Sequence, residues 1–373
     1  MYKTAFRQYL FNVLINMPLW CLGCSFLFTG CKSDSSEYES QKNAVLEIAV
    51  KGTSLLSRAQ GNFLPSDEEH INTLAVGVFY ADGSVNLIAE PEITGTSVAG
   101  FNCSAGVCDI VVVANIPSGT FSGVTSREDF MNKIISLSST ASAGVQTSDN
   151  LPMSGIAENV ELKVGVTTRA TVALSRLVAR VSLSSVRTEF DPKGQYSHAT
   201  LAIDKVFLYD ANGVSKVTPD AYTVPSSVVR LYGGTVNNGT WQAGTPYLLN
   251  ELSTPENSID TPHWFYTFAN TDLSHPTKLV LSGIFDADGT GSLYPETRVY
   301  YPIVVNKSQT GTSIEGTGGG TSTISRNTSY RISAVIKGAG AENPEVNVEP
   351  VEMQLTLSVS QWELILLQEV EVY

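Results

Sequence analysis

The chain has 373 residues and a formal net charge of −13, with 23 Lys and Arg against 36 Asp and Glu. That acid excess, with no basic cluster to follow a phosphate backbone, excludes nucleic acid as a partner. His70, His198, His263 and His275 are scattered without metal-ligand spacing. No serine sits in Gly-x-Ser-x-Gly and no Gly-x-Gly-x-x-Gly follows a strand, so the sequence points to no enzyme, metal or cofactor.

The first thirty residues carry Lys3 and Arg7, then a largely apolar stretch from Tyr9 to Gly30 with no acidic residue. This is the layout of a secretory signal. Gly30-Cys31, followed by Lys32-Ser33-Asp34-Ser35-Ser36-Glu37, fits the cleavage box of a bacterial lipoprotein. Cys31 is then the lipidated first residue, and the precursor meets the membrane only through that lipid. Phe28 stands where Leu is more usual, Cys24 after Gly23 is a second choice, and a retained span is the alternative, since about 20 apolar residues cross a bilayer. Loss of the leader takes the charge to −15 and leaves roughly 340 residues, enough for two domains.

Past the leader the pattern is strand and turn. Leu46, Ile48 and Val50 alternate with Glu47 and Ala49, which predicts a first strand over Ala44–Val50. Leu74–Tyr80 is a second strand, turned back by Ala81-Asp82-Gly83-Ser84 into Val85–Ile88. Cys103 and Cys108 flank Ser104-Ala105-Gly106-Val107, a spacing open to a disulfide across a tight turn or to two free thiols. Ile110–Ala114 is a β-branched run typical of a buried strand. Ser126-Arg127-Glu128-Asp129 has capping-box spacing and predicts one helix, with Phe130, Ile134 and Leu137 on a shared face. Further strands are predicted at 171–184, 201–209, 264–268, 277–285, 297–305, 328–337 and 351–359, broken by Asp210-Ala211-Asn212-Gly213, Asp286-Ala287-Asp288-Gly289 and Gly316–Gly320. Many short strands between such turns argue for sandwiches rather than a parallel α/β sheet. Arg176 and Arg180, four apart in a strand, share one face, expected to be the outer one.

Two segments invite a sharper reading. Lys51–Ser66 joins the first strand to the body and contains Leu56-Ser57-Arg58-Ala59-Gln60, an exposed setting for a trypsin-like cut after Arg58. Such a cut leaves the first strand held by no covalent bond, and its loss opens an apolar groove that a strand from another subunit can fill. Three to five inward side chains at about 1.5–3 kcal/mol each give roughly 5–15 kcal/mol of gross burial, before ordering costs. At the other end Met353, Leu355, Leu357 and Val359 alternate with polar residues, followed by Trp362, Leu364-Ile365-Leu366-Leu367, Val370 and Val372. This apolar end is either a donor strand or the last strand of a closed domain.

Several motifs in a fixed order carry a likeness: Leu74–Tyr80 with Asp82-Gly83; Val112-Val113-Ala114-Asn115; Leu151-Pro152-Met153-Ser154-Gly155; Leu174–Val181; Tyr301-Pro302-Ile303-Val304-Val305-Asn306; and Ile324-Ser325-Arg326-Asn327-Thr328-Ser329-Tyr330-Arg331-Ile332-Ser333. With the leader, they resemble the fimbrillin family of Bacteroidales, the fimbrial subunit lipoproteins. The resemblance implies an all-β fold of two tandem transthyretin-like Greek-key β-sandwich domains, with one short helix in the first. It implies a signal peptide at 1–30, a removable piece at 31–58, domains at 59–168 and 169–373, and a donor region near 351–373. On this reading an arginine-specific protease cuts between Arg58 and Ala59, and other fimbrial subunits are partners through strand exchange. The donor residues are Leu357, Val359, Trp362, Leu364, Leu366, Val370 and Val372, and the product is a fimbria at the outer membrane and cell surface.

The alternative is a tip or surface adhesin for a glycan or host protein, with Trp241, Trp264, Tyr266 and Tyr300-Tyr301 as sugar-stacking candidates. Aromatics in strands are mostly core, and Trp264-Phe265-Tyr266 can place only alternate residues outward. Asp286 and Asp288 read as a solvated turn rather than a calcium site.

Overall fold

The computed structural model describes residues 44–48, 67–94, 97–98, 100–218, 229–291, 297–348, 352–362 and 365–367. Cys31, Arg58, Ala59, Leu364, Val370 and Val372 lie outside them.

The first half builds two sheets. Its principal elements are β1 (Ala44–Ile48), β2 (Leu74–Tyr80), β3 (Val85–Ala89), β4 (Phe101–Cys103), β5 (Gly106–Ala114), the helix α1 (Arg127–Met131), β6 (Met153–Leu162), β7 (Thr167–Ala170) and β8 (Val172–Arg176). The β-branched run of β5 is buried along both faces because β2 and β6 flank it antiparallel in the middle of a sheet. Asp82 closes the β2–β3 turn by accepting the Ser84 N–H at 2.9 Å, while Gly83 takes φ 83°, a conformation glycine adopts without strain. A second, three-stranded sheet sets β1 between β7, parallel, and β4, antiparallel.

The second half adds β9 (Val178–Thr188), β10 (Thr200–Tyr209), β11 (Leu249–Glu256), β12 (His263–Phe268), β13 (Lys278–Asp286), β14 (Thr297–Val304), β15 (Thr312–Gly316), β16 (Thr328–Ile336) and β17 (Met353–Gln361). They form a five-stranded sheet in the order β12-β9-β16-β17-β15 and a four-stranded sheet in the order β11-β10-β13-β14. A last strand, β18 (Ile365–Leu367), leaves this half and pairs antiparallel with β8. The six-stranded sheet of the first half therefore reads β18-β8-β6-β5-β2-β3. Inward residues of all four sheets merge into one apolar core, in which Leu46, Phe79, Phe130, Leu177, Phe265, Leu281 and Tyr330 are fully or nearly fully buried.

Three expectations need correction. The run 171–184 is not one strand: it breaks at Leu177, whose N–H donates to Pro152 O at 2.8 Å, and the chain changes sheet there. The apolar pattern continues through the break because both sides are buried, so periodicity alone does not reveal it. The helix is capped as expected, with the Asp129 N–H donating to Ser126 Oγ at 3.1 Å, but it ends at Met131. Ile134 is exposed in a short strand, Ile134–Ser136, that pairs with Val214–Lys216. Its β-branched residues find a ladder partner more favourable than another helical turn. Finally, Arg176 and Arg180 do not face outward; both are 6% exposed.

Candidate functional site

The slot around β1 follows from alternation. Ala44, Leu46 and Ile48 point into the core, while Val45 and Glu47 lie toward the surface. Leu46 stands opposite Thr168 on β7 and Phe101 on β4, so main-chain pairing is satisfied on both edges. Outside the slot, Glu47 Oε2 accepts from Arg169 Nε at 3.2 Å; this exposed pair fixes register more than it adds stability. Burial of Leu46 and Ile48 alone is worth roughly 3–6 kcal/mol.

Cys103 and Cys108 are buried free thiols at this end of the molecule, and Cys103 is the register partner of Ala44. Burial, then the neighbouring Cys108, pushes the Cys103 thiol up to about 11; burial likewise raises Cys108, against a hydrogen bond from Asn86 Nδ2 at 3.4 Å. At pH 8 a thiol with that value is about one part in a thousand thiolate. Iodoacetamide at pH 8 is therefore expected to leave both cysteines unmodified in the native chain, to label both in urea, and to reach Cys103 once β1 is gone. Mass spectrometry checks this; rapid labelling of the intact native chain would contradict the burial, and no labelling in urea without reductant would reveal a disulfide.

A second feature ties the segment before β2 to the C-terminal end. Glu68 is buried, and its carboxylate accepts from Arg180 Nη1 at 2.5 Å and from the Tyr266 hydroxyl at 2.7 Å. Its backbone carbonyl accepts from Arg176 Nε at 3.0 Å, and Arg180 Nη2 also donates to Ser329 Oγ at 3.0 Å. Burial lowers the Arg176 value, opposed by Glu68, and raises the Tyr266 value, reinforced by Glu68. The Trp362 ring centroid lies 4.9 Å from the Arg176 guanidinium carbon and 5.1 Å from that of Arg180, the range of cation–π contacts. Asn327 fastens the tryptophan: its carbonyl accepts from Trp362 N at 2.9 Å, and its Nδ2 donates to Trp362 O at 3.0 Å. Asn327 Oδ1 accepts in turn from Arg176 N at 3.2 Å.

The structure brings together Arg176, Arg180, Tyr266, Asn327 and Trp362, which the sequence showed separately, and adds Glu68, which sequence reasoning missed. The available signal was a pair of arginines flanking the apolar stretch Leu177-Val178-Ala179. Of the expected donor residues, Leu357 and Val359 are buried inward positions of β17, a strand enclosed between β16 and β15. The backbone of Leu366 pairs with Ala173 on β8.

The aromatic candidates divide. Tyr300 and Tyr301 are buried, and Tyr266 is covered by Glu68 and Trp362 although it shares a side of β12 with Trp264. Trp241 packs over Lys205 Nζ at 4.9 Å. Trp264, 36% exposed, borders a cleft of about 210 Å³ with Tyr247, Asn250, His263 and Val145. The Asp286 carboxylate is occupied by its own turn, accepting from Gly289 N at 3.1 Å and Gly291 N at 2.8 Å. Among the described residues no group of three or more His, Cys, Asp or Glu is placed to hold a metal ion.

Sequence comparison matches residues 44–194 to the family described as major fimbrial subunit protein (FimA). Over nearly its whole length the chain is 24% identical to a major fimbrium subunit FimA type-2 of Porphyromonas gingivalis, covering 90% of this chain and 94% of the relative. It is 25% identical to a FimA type-4 subunit of the same species with the same coverage. Its fold is similar to the crystal structure of a fimbrilin from P. gingivalis W83, with a TM-score of 0.66 at 23% identity, over 87% of this chain and 98% of that one. Residues 44–194 thus match the major fimbrial subunit (FimA) family, and over nearly its whole length the chain is similar to FimA-type major fimbrium subunits.

Proposed function

We propose that this protein is a structural subunit of a cell-surface fimbria, exported as a lipoprotein through Cys31, cut after Arg58, and polymerised by strand exchange. The observation that carries the reading is β1 itself. It fills an apolar slot between β7 and β4, and its covalent link to the rest of the described fold runs through 49–66, the segment containing Arg58. A strand so placed is held by ladder bonds and a few buried side chains, all of which another strand of matching alternation can replace. Leu357 and Val359 are built into their own sheet, so the donor begins after Trp362, with Leu364, Leu366, Val370 and Val372 as its apolar residues.

Low-dose trypsin on the purified precursor tests this. The expected result is a new N-terminus at Ala59 and a ladder of SDS-resistant oligomers on an unboiled gel, both abolished by Arg58→Ala. A chain cut at Ala59 that stays monomeric sinks the exchange reading. The second reading, a tip adhesin, is favoured by the exposed Trp264 beside its cleft. A tip subunit accepts a strand without donating one, so deletion of 363–373 blocks self-polymerisation only if this chain is a stalk subunit.

A further inference from the structure

Among the described residues the chain passes directly between the six-stranded and the five-stranded sheet twice, and the two crossings lie one upon the other. The first is Arg176-Leu177-Val178, between β8 and β9; the second is Trp362, between β17 and β18. Trp362 covers the guanidinium groups of Arg176 and Arg180, and Asn327 hydrogen-bonds to both crossings. Under the ring, Glu68 binds one arginine through its carboxylate and the other through its carbonyl.

These contacts lie beside the β8–β18 ladder. That ladder has only three register pairs, Val172 with Leu367, Ala173 with Leu366 and Leu174 with Ile365, too short to be stable alone. Its nearest fixed point is Trp362, three residues before β18, and the seat for Trp362 begins at Arg176, the last residue of β8. Two buried cations beneath one ring repel each other and favour water. The Glu68 carboxylate, with Tyr266 donating to it, offsets that repulsion and holds Arg180 against the indole. With Glu68 withdrawn, the arginines gain by turning toward solvent through the space the ring occupies.

We propose that Glu68 controls a latch: while the segment before β2 is docked, Trp362 stays seated and residues 365–367 stay on β8. When that segment is displaced, the chain beyond Trp362 is released for pairing with a second copy. Glu68 lies ten residues beyond Arg58, so events at the N-terminal joint and the freeing of the C-terminal segment become one coupled step. This deepens the strand-exchange reading and rests on it for its purpose, but not for its test.

Native-state hydrogen exchange on the uncut full chain provides that test, because it needs no polymerisation. In Glu68→Gln and in Trp362→Ala, amides of 172–174 and 365–367 are expected to exchange at least tenfold faster, while β10 and β13 stay within twofold of wild type. Trp362→Phe, which keeps a ring over the arginines, is expected to recover most of the protection. If Glu68→Gln also exposes β10 and β13, the variant has unfolded and Tyr266→Phe takes its place. Removing that single donor is expected to speed 365–367 at least threefold with β10 and β13 unchanged. Unchanged exchange at 365–367 in a folded Glu68→Gln, or in Tyr266→Phe, overturns the latch. A cut chain that never polymerises while Glu68→Gln still loosens 365–367 overturns the exchange reading alone.

Discussion

Leu46→Asp is expected to destabilise the uncut chain by at least about 4 kcal/mol, through a lost core side chain and a carboxylate forced into an apolar slot. Leu46 is fully buried between β7 and β4, and Arg169 on β7 bonds Glu47 on the opposite side of β1. Val45→Asp, one residue earlier on the surface side, is expected to cost under about 1 kcal/mol. At the urea sensitivity of a chain this long this places the Leu46→Asp midpoint roughly 1 M or more below that of Val45→Asp. Equal midpoints would mean that β1 does not seat by alternation. The same substitution bears on function, because a β1 that will not stay seated opens the slot before any cut and should give oligomers from the uncut precursor.

Asn115→Ala is expected to cost about 3–4 kcal/mol for a different reason. Asn115 ends β5 in a left-handed conformation, φ 57°, and is buried. Its Oδ1 accepts from Asn72 N at 2.7 Å and Thr73 N at 3.4 Å, and its Nδ2 donates to His70 O at 2.7 Å and Leu151 O at 2.9 Å. One side chain thus pins the segment that delivers Glu68 to its arginines. Asn115→Gly relieves the backbone strain but restores none of these bonds, so it is expected to recover only about 1 kcal/mol. Denaturation of both variants, with hydrogen exchange over 70–73, separates the contributions; full recovery by glycine would mean that the side-chain bonds contribute nothing.

Local signals were readable wherever one residue's neighbours in sequence are also its neighbours in space. The alternation of β1 and β17, the Asp82-Gly83 turn and the Ser126 cap all appear in the structure. Asn115, Asn306 and Asn327 all stand in the motifs that carry the family likeness, and all take positive φ with side chains bonded to nearby loops. Their membership of those motifs did not reveal that Asn115 and Asn327 fasten segments distant in sequence. The burial of Arg176 and Arg180 was not readable, because the residue that makes it tolerable, Glu68, lies 112 positions before Arg180. A charged pair in a strand defaults to the surface unless its counterion is known, and the counterion here comes from a segment without periodicity. The break at Leu177 was hidden for a related reason: a chain passing between two buried sheets shows no polar interruption.

The placement of β18 has a kinetic meaning. Glu47 and Arg169 meet across 122 positions, and Val172 pairs with Leu367 across 195. The sheet built early in synthesis is thus completed by residues made long after it. Until they arrive, β8 is an unpaired apolar edge, the kind of edge along which chains aggregate. High sequence separation also slows closure, since loop entropy is lost before any contact rewards it. Refolding from denaturant should accordingly show a slow final phase that reports on β8, and chains interrupted before residue 365 should be the ones that stick to each other.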